Sequence, residues 1–379
     1  MTEKMKFIVE YQKEEVSFSE LCRQYGISRP TGYKWVRRFE EECVDGLKAR
    51  PRVARRHPNQ TPPDVVEHLL ATRRAHMTWG PRKVVAFLRR HHPEVAVPAP
   101  STVGAILKRH GLVGARRRRC GGVARPGGPL TQPGVPNEVW CADFKGQFRL
   151  AGQRRPYCYP LTITDLHSRY LLRCQGLSST RHVQAYPVFL AAFREYGLPQ
   201  VIRTDNGWPF ASRAPGGLSR LGVWWLRLGI RPERIVPGHP EQNGSHERMH
   251  RTLKAEATSP RERTLTGQQR HLATWTREFN ELRPHEALGM LTPSDCYTTS
   301  SRCYPRRLAQ PDYDSGFRTT RVQPQGHASL RNRTLYVGHN LAGFRVGCRQ
   351  VDDTIHAVYF FDYLIGKVDL RTPGRLRPR

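Results

Sequence analysis

The chain has 379 residues, long for one domain and enough for two to four, and its 38% hydrophobic content supports at least one sizeable core. Sixty-two Lys and Arg against 32 Asp and Glu leave a formal charge of +30, an excess that calls for a polyanionic partner. With no run of eighteen apolar residues, no lipidation signature and no basic-then-apolar leader, a membrane is excluded as that polyanion, and the expected setting is the cytoplasm, on nucleic acid.

Residues 1–56 predict a helix-turn-helix domain. Phe18, Leu21, Cys22 and Tyr25 recur at helical spacing, Gly26 offers the turn, and Ser28 is placed to cap a second helix running to about Glu42. On that helix Trp35 and Phe39 share an apolar side, while Arg29, Tyr33, Lys34 and Arg37 are the candidates for the DNA major groove. A small helical bundle with solvated arginines is the competing reading. Residues 57–115 predict a second helix-turn-helix-like domain. Val66, Leu69 and Leu70 mark one helix, Val84, Val85 and Leu88 another, and Pro100-Ser101 opens a third with Val103, Ile106 and Leu107 inside and Lys108 and Arg109 offered to DNA. Residues 116–135, opening with the run Arg116 to Arg119 and rich in Gly and Pro, read as a basic linker that would track phosphates.

From residue 136 the pattern turns to mixed strands and helices. Strands are expected at 139–148, 159–165, 170–176, 200–204 and near 234–236, with helices over about 180–196 and 218–228, a mixed α/β core covering 136–297. Trp224 and Trp225 read as core. The remainder, 298–379, carries β-prone runs at 334–337, 344–346, 355–361 and 363–370 with glycines between them, a small barrel-like β-domain. The nine cysteines are scattered without any CxxC, which fits reduced thiols, and no close Cys pair accompanies His91 and His92 to make a zinc site.

Three acids stand in short signatures: Asp143 in VWCADF, Asp205 in VIRTDNG and Glu247 in GHPEQNGSHERMHRTLK. The first two end apolar, strand-like runs, and the third lies in a polar, helix-compatible stretch from Glu241 to Thr258. Three carboxylates brought together from separate segments repel unless cations share them, which suggests two Mg²⁺ (or Mn²⁺) ions clamping an in-line phosphoryl displacement. Asn243, Arg251 and Lys254 fall at i−4, i+4 and i+7 from Glu247, a face suited to holding DNA beside the metals. A plain Glu247–Arg251 helix pair competes with that reading. Asp165, in ITDLHSRY, is left outside the primary set, since it reads equally as an extra carboxylate or as part of a turn. His239 and His246 are close enough to act behind the ligands.

At these residues the chain resembles the bacterial insertion-sequence transposases, whose catalytic core is like that of retroviral integrases. The resemblance includes the Asn-Gly after the second acid, the Asn-Gly before the glutamate, and FNELRPHEALGMLTP (279–293), similar to the segment closing this core in bacterial members. It implies a multidomain protein: N-terminal all-α helix-turn-helix modules, a central ribonuclease-H-like α/β core and a small C-terminal β-domain. It implies catalytic and metal-binding roles for Asp143, Asp205 and Glu247, double-stranded DNA as partner (transposon ends and target), a homo-oligomer of at least two subunits, and a nucleoid-associated location. The 42-residue gap from Asp205 to Glu247 exceeds the roughly 35 that the resemblance leads one to expect, and SRAPGGLSR (212–220) reads as the insertion. The competing functions are a DNA-binding regulator or domesticated relic without activity, and a plain nuclease of the same fold.

Overall fold

The computed structural model describes residues 2–49, 60–114, 130–152, 156–236, 239–331, 333–371 and 376, so the run Arg116 to Arg119 and most of the linker 116–135 lie outside the described residues. Two compact units divide the chain, Met1–Thr61 and Pro62–Arg379. In the first, α1 (Glu3–Lys13) precedes the two expected helices, α2 (Phe18–Gln24) and α3 (Arg29–Gly46). Phe7, Ile8, Leu21, Cys22 and Val36 form its core, with Trp35 and Phe39 packed against it. Gly26 takes the left-handed conformation that the turn needs (φ 61°). Ser28 corrects one expectation: its hydroxyl meets Thr31 Oγ1 at 2.9 Å and accepts no backbone N–H of α3. Pro30 in the first turn, where a missing N–H costs nothing, starts the helix instead.

The second unit opens with α4 (Pro63–Ala75), α5 (Pro81–His91) and α6 (Pro100–Arg109). The apolar residues singled out above, from Leu69 to Leu107, bury together in this three-helix module. A six-stranded sheet follows: β1 (Val139–Phe144), β2 (Phe148–Arg149), β3 (Tyr157–Asp165), β4 (Leu171–Leu177), β5 (Val201–Thr204) and β6 (Arg231–Arg234). The order is β2-β3-β1-β5-β6 with β4 also on β3. β1, β3 and β4 are antiparallel, while β5 and β6 join β1 in parallel through the crossover helices α7 (His182–Tyr196) and α8 (Arg220–Arg227). Trp140, Phe189, Phe193 and Trp225 fill the core beneath those helices.

Two strand expectations need correction. The run 139–148 is two strands, broken at Gly146 (φ 93°), and the last strand is Arg231–Arg234 rather than 234–236. RPER looks like a loop, yet an edge strand tolerates proline and charge. On another side of the sheet, α9 (Gly244–Glu256) and α10 (Leu265–Glu281) bury Met249, Leu253, Leu272, Trp275 and Phe279 against Leu171 and Cys174. The short α11 (Pro293–Cys296) then starts with a Thr292/Asp295 capping box.

Beyond it come β7 (Arg318–Arg321), β8 (His327–Leu330), β9 (Arg333–Tyr336), β10 (Arg345–Gln350), β11 (Ile355–Phe360) and β12 (Tyr363–Asp369). β7 and β8 add to the four expected runs. They pair as an open sheet, β12-β11-β10-β7, plus a β8-β9 hairpin, so strand pairing among the described residues does not close a barrel. The loop read as an insertion has a use here. Gly216 and Gly217 take positive φ, Tyr363 Oη donates to the Gly216 carbonyl at 2.9 Å, and Asn340 Nδ2 donates to that of Leu218 at 2.9 Å. Leu218, Val223 and Leu226 then share a core with the C-terminal sheet. Among the described residues no helix is long and apolar enough to cross a membrane.

Candidate active site

Parallel pairing explains how two distant aspartates meet. Ala142 of β1 is in register with Thr204 of β5, so the residues that follow each, Asp143 still within β1 and Asp205 just past β5, stand at the same end of the sheet. Asp205 Oδ1 accepts the N–H of Gly207 at 3.0 Å, and a Cβ at Gly207 would fall 2.9 Å from that carboxylate, which is why glycine stands after Asp-Asn. Glu247 is exposed, in the first turn of α9. The Asp143 carboxyl is pushed up to about 7, first by burial, then by the charge of Asp205, with a smaller push from Glu247; the Phe144 N–H and Lys145 act the other way. The three acids therefore share one electrostatic field.

The buried side of α9 contributes two imidazoles. Thr162 on β3, in register with Asp143, donates its hydroxyl proton to the Asp143 carbonyl at 3.0 Å. A hydroxyl has one proton, so its contacts with His246 Nε2 (2.8 Å) and His250 Nε2 (2.7 Å) must be donated by the rings. The other nitrogen of His246 meets Thr164 Oγ1 at 2.8 Å, so both of its nitrogens are engaged. His250 differs. Its Nδ1 carries a lone pair 3.7 Å from Asp143 Oδ2, and burial keeps the ring neutral. Two electron-pair donors facing each other require a proton or a cation between them.

That requirement is the test of whether a metal ion fits. Asp143, His246 and His250 each place a ligand-type atom within 4.8 Å of the others, but with His246 committed to the threonines, Asp143 and His250 are the pair free to coordinate. Asp205 and Glu247 are not in that close group; their charges reach Asp143, and an oxygen ligand beside an imidazole nitrogen is a donor pair that a divalent cation accepts.

The remaining expected residues divide. Arg29, Tyr33, Lys34 and Arg37 are exposed on α3, with Tyr33 stacked on Phe18 at 4.1 Å and Arg37 3.6 Å from Glu41. Lys108 and Arg109 are exposed at the end of α6. Arg251 and Lys254 are exposed on α9, and among the described residues no ion pair joins Arg251 to Glu247. Asn243 corrects an expectation: it precedes the first turn, is 4% exposed and leaves its Oδ1 without a hydrogen-bond partner, so helical spacing from Glu247 does not apply to it. Asp165 accepts from Asn137 N, Ser168 N and Ser168 Oγ at 2.6–2.8 Å and organises the turn into β4. His250 escaped sequence reasoning, although its i, i+4 spacing from His246 was a usable signal.

Known proteins carry the same parts. Integrase core domain families match residues 134–240 and 228–293, a helix-turn-helix domain matches 3–56, and a homeodomain-like domain matches 31–107. An uncharacterized 31.7 kDa protein of insertion element IS407 from Burkholderia multivorans is 32% identical over 194 residues, half of this chain and 66% of that protein. The match thus spans just under two thirds of that relative's length. Transposase InsD for insertion element IS2 of Escherichia coli is 27% identical over 58% of this chain and 73% of its own. A chain of the simian T-cell lymphotropic virus intasome aligns over 82% of this chain and all of its own, at 16% identity and a TM-score of 0.38. Integrase core and helix-turn-helix matches in this order, together with the insertion-element relatives, show that the chain carries an integrase-type core behind helix-turn-helix modules and is related to the insertion-sequence transposases.

Proposed function

We propose that the protein is a DNA transposase that binds transposon-end DNA, cleaves a phosphodiester there and joins the freed 3′ hydroxyl to target DNA. The observation that carries this reading is the Asp143 carboxyl, pushed up to about 7 by burial and by the neighbouring charges of Asp205 and Glu247. Such an arrangement is unfavourable unless cations neutralise it. Asp143, Asp205 and Glu247 would hold two Mg²⁺ or Mn²⁺ ions, with His250 beside Asp143. Bound there, the ions supply activation of the attacking hydroxyl and stabilisation of the leaving oxygen.

The chain's other residues do the positioning. Thr162 fixes both imidazoles and the backbone of Asp143 at once. Arg251 and Lys254, one and two turns beyond Glu247, would bind phosphates flanking the scissile bond, and Arg29, Tyr33, Lys34 and Arg37 would read the end sequence from the major groove, with Lys108 and Arg109 on the second module. Pairing two DNA ends requires at least a dimer, working on DNA in the bacterial cytoplasm.

The test is cleavage and joining of a labelled transposon end in Mg²⁺ by Asp143→Asn, Asp205→Asn and Glu247→Gln. Loss of both products with specific DNA binding retained is expected, because charge at the acids serves the chemistry and recognition lies elsewhere. Full strand transfer by any of the three variants would sink the assignment.

A further inference from the structure

A cavity of about 570 Å³ lies along α9, with Met249 and Phe279 in its wall, bounded by α5 and by the chain after α10. Four cations converge on it: Lys83 of α5, Arg169 from the turn between β3 and β4, and Arg248 and Arg251 of α9. The other charges there are already satisfied. Arg283 is paired with Glu256 at 2.6 Å, the Asp165 carboxylate takes three hydrogen bonds, and exposed Glu286 faces Arg82 at 3.8 Å. No ion pair is found for the four cations among the described residues.

The cavity is built at a cost to the fold. Arg169 Nη1 and His285 Nε2 are buried without hydrogen-bond partners, and Arg169 sits at φ 64°, a conformation that non-glycine residues seldom adopt. The cations act on each other: Lys83 is pushed down to about 8 by burial and then by Arg283, and His285 to about 3 by burial, then by Lys83, Arg283 and Arg169. Like charges gathered in a partly buried space destabilise a protein unless an anion joins them.

We propose that this cavity binds a backbone phosphate of a DNA strand, with Arg169 and Lys83 at its floor and Arg248 and Arg251 at its mouth. The inference rests on the reading that the protein acts on DNA. A free phosphate offers the same oxyanion, but the space exceeds one phosphate, and Arg251 lies a single helical turn from Glu247, so a strand held at the acids has the cavity within reach. The second helical module, through Lys83, thereby helps position the strand.

The experiment uses the full chain, with Lys83→Gln, Arg169→Gln and Arg169→Lys. Thermal melting is followed with and without pyrophosphate, and binding of a short mixed-sequence duplex is followed against salt. Pyrophosphate should raise the melting temperature of the parent protein. Lys83→Gln and Arg169→Gln should melt no lower than the parent without anion, lose most of the pyrophosphate response, and each lower the salt slope of duplex binding by about one, with Arg169→Lys keeping the slope. An intact pyrophosphate response in both Gln variants would overturn the cavity as an anion site. A lost response with an unchanged duplex slope would assign it to small phosphates and overturn the DNA proposal. If the expected shifts appear but the parent protein cleaves no transposon end, the functional reading fails and the phosphate site stands.

Discussion

Asp143 shows how a single buried carboxyl can cost stability, a cost that its proposed role at the metals would explain. Its carboxyl is raised to about 7 in the folded chain against about 4 in an unfolded one, so between those values the native state holds a proton that the unfolded state has lost. Stability of the metal-free protein is therefore expected to fall as pH rises through that window, by up to about 4 kcal/mol. Asp143→Asn removes the effect: its melting temperature should exceed the parent's by a margin that grows from about pH 4 to about pH 7, and Mn²⁺ should stabilise the parent far more than the variant. A margin independent of pH in melting scans would disprove this account. His250 bears on which ion the proposed site would hold. An imidazole nitrogen beside Asp143 favours Mn²⁺ over Mg²⁺, so His250→Gln should weaken Mn²⁺ binding several-fold while leaving Mg²⁺ binding nearly unchanged in calorimetric titrations; equal losses for both ions would rule out coordination by the ring. The strand and helix positions of the acids were legible because Asp143 and Asp205 close apolar, strand-like runs and Glu247 sits in a helix-compatible stretch, each with its own short signature. His250 was not, because a polar helix read alone does not reveal which side it packs inward.

At the scale of the element, α9 carries two opposed faces. Glu247, Arg251 and Lys254 meet solvent, while His246, Met249, His250 and Leu253 pack inward, and one hydroxyl on β3 ties that inner face to the sheet. Thr162→Val keeps the volume but leaves two ring N–H groups buried without an acceptor, a loss of roughly 2–4 kcal/mol. Denaturant unfolding should show it as a lower midpoint with an unchanged slope. A midpoint shift below about 0.5 kcal/mol would mean the rings find other partners. The same face makes the fold sensitive to acid. His246 and His250 are held neutral well below their ordinary pKa, chiefly by burial, so their contribution is present above about pH 6.5 and is lost as pH falls, when the unfolded chain takes up protons that the folded one refuses. Elements with strong periodicity, such as α5, α6 and β11, matched their sequence patterns. β6 and the loop at 212–220 did not declare themselves: RPER has no alternation to read, and Gly216 is needed because Tyr363 and Ile365 lie against it from more than a hundred residues away, while Gly217 is hemmed in by Arg234.

Over the whole molecule, the charge is distributed unevenly between the two units. Residues 2–49, the body of the helix-turn-helix domain, carry nine Lys and Arg against nine Asp and Glu, so nearly all of the +30 lies beyond them, with four arginines in 50–56 and the rest in the second unit. Total charge pointed to nucleic acid, but a total does not say where the phosphates are met. Non-specific affinity comes from neutralised phosphates and released counterions, whereas base preference comes from a few side chains in a groove. The two properties should therefore separate. A chain reduced to residues 62–379, which retains its own cores and the candidate site, should bind duplex DNA with a salt slope lowered by no more than about four, the number of linker arginines removed, plus the contacts of α3. It should lose most of its preference for the transposon end over random sequence, on the order of 1–3 kcal/mol for each base contact that Arg29, Tyr33, Lys34 or Arg37 makes. Salt titrations of the full and shortened chains on end and random duplexes measure both quantities together. If the shortened chain keeps full discrimination, recognition belongs to Lys108 and Arg109 on α6 or to the core; if it loses most of its salt slope, the basic residues of the second unit are solvated rather than on DNA, and the charge argument fails where it is strongest.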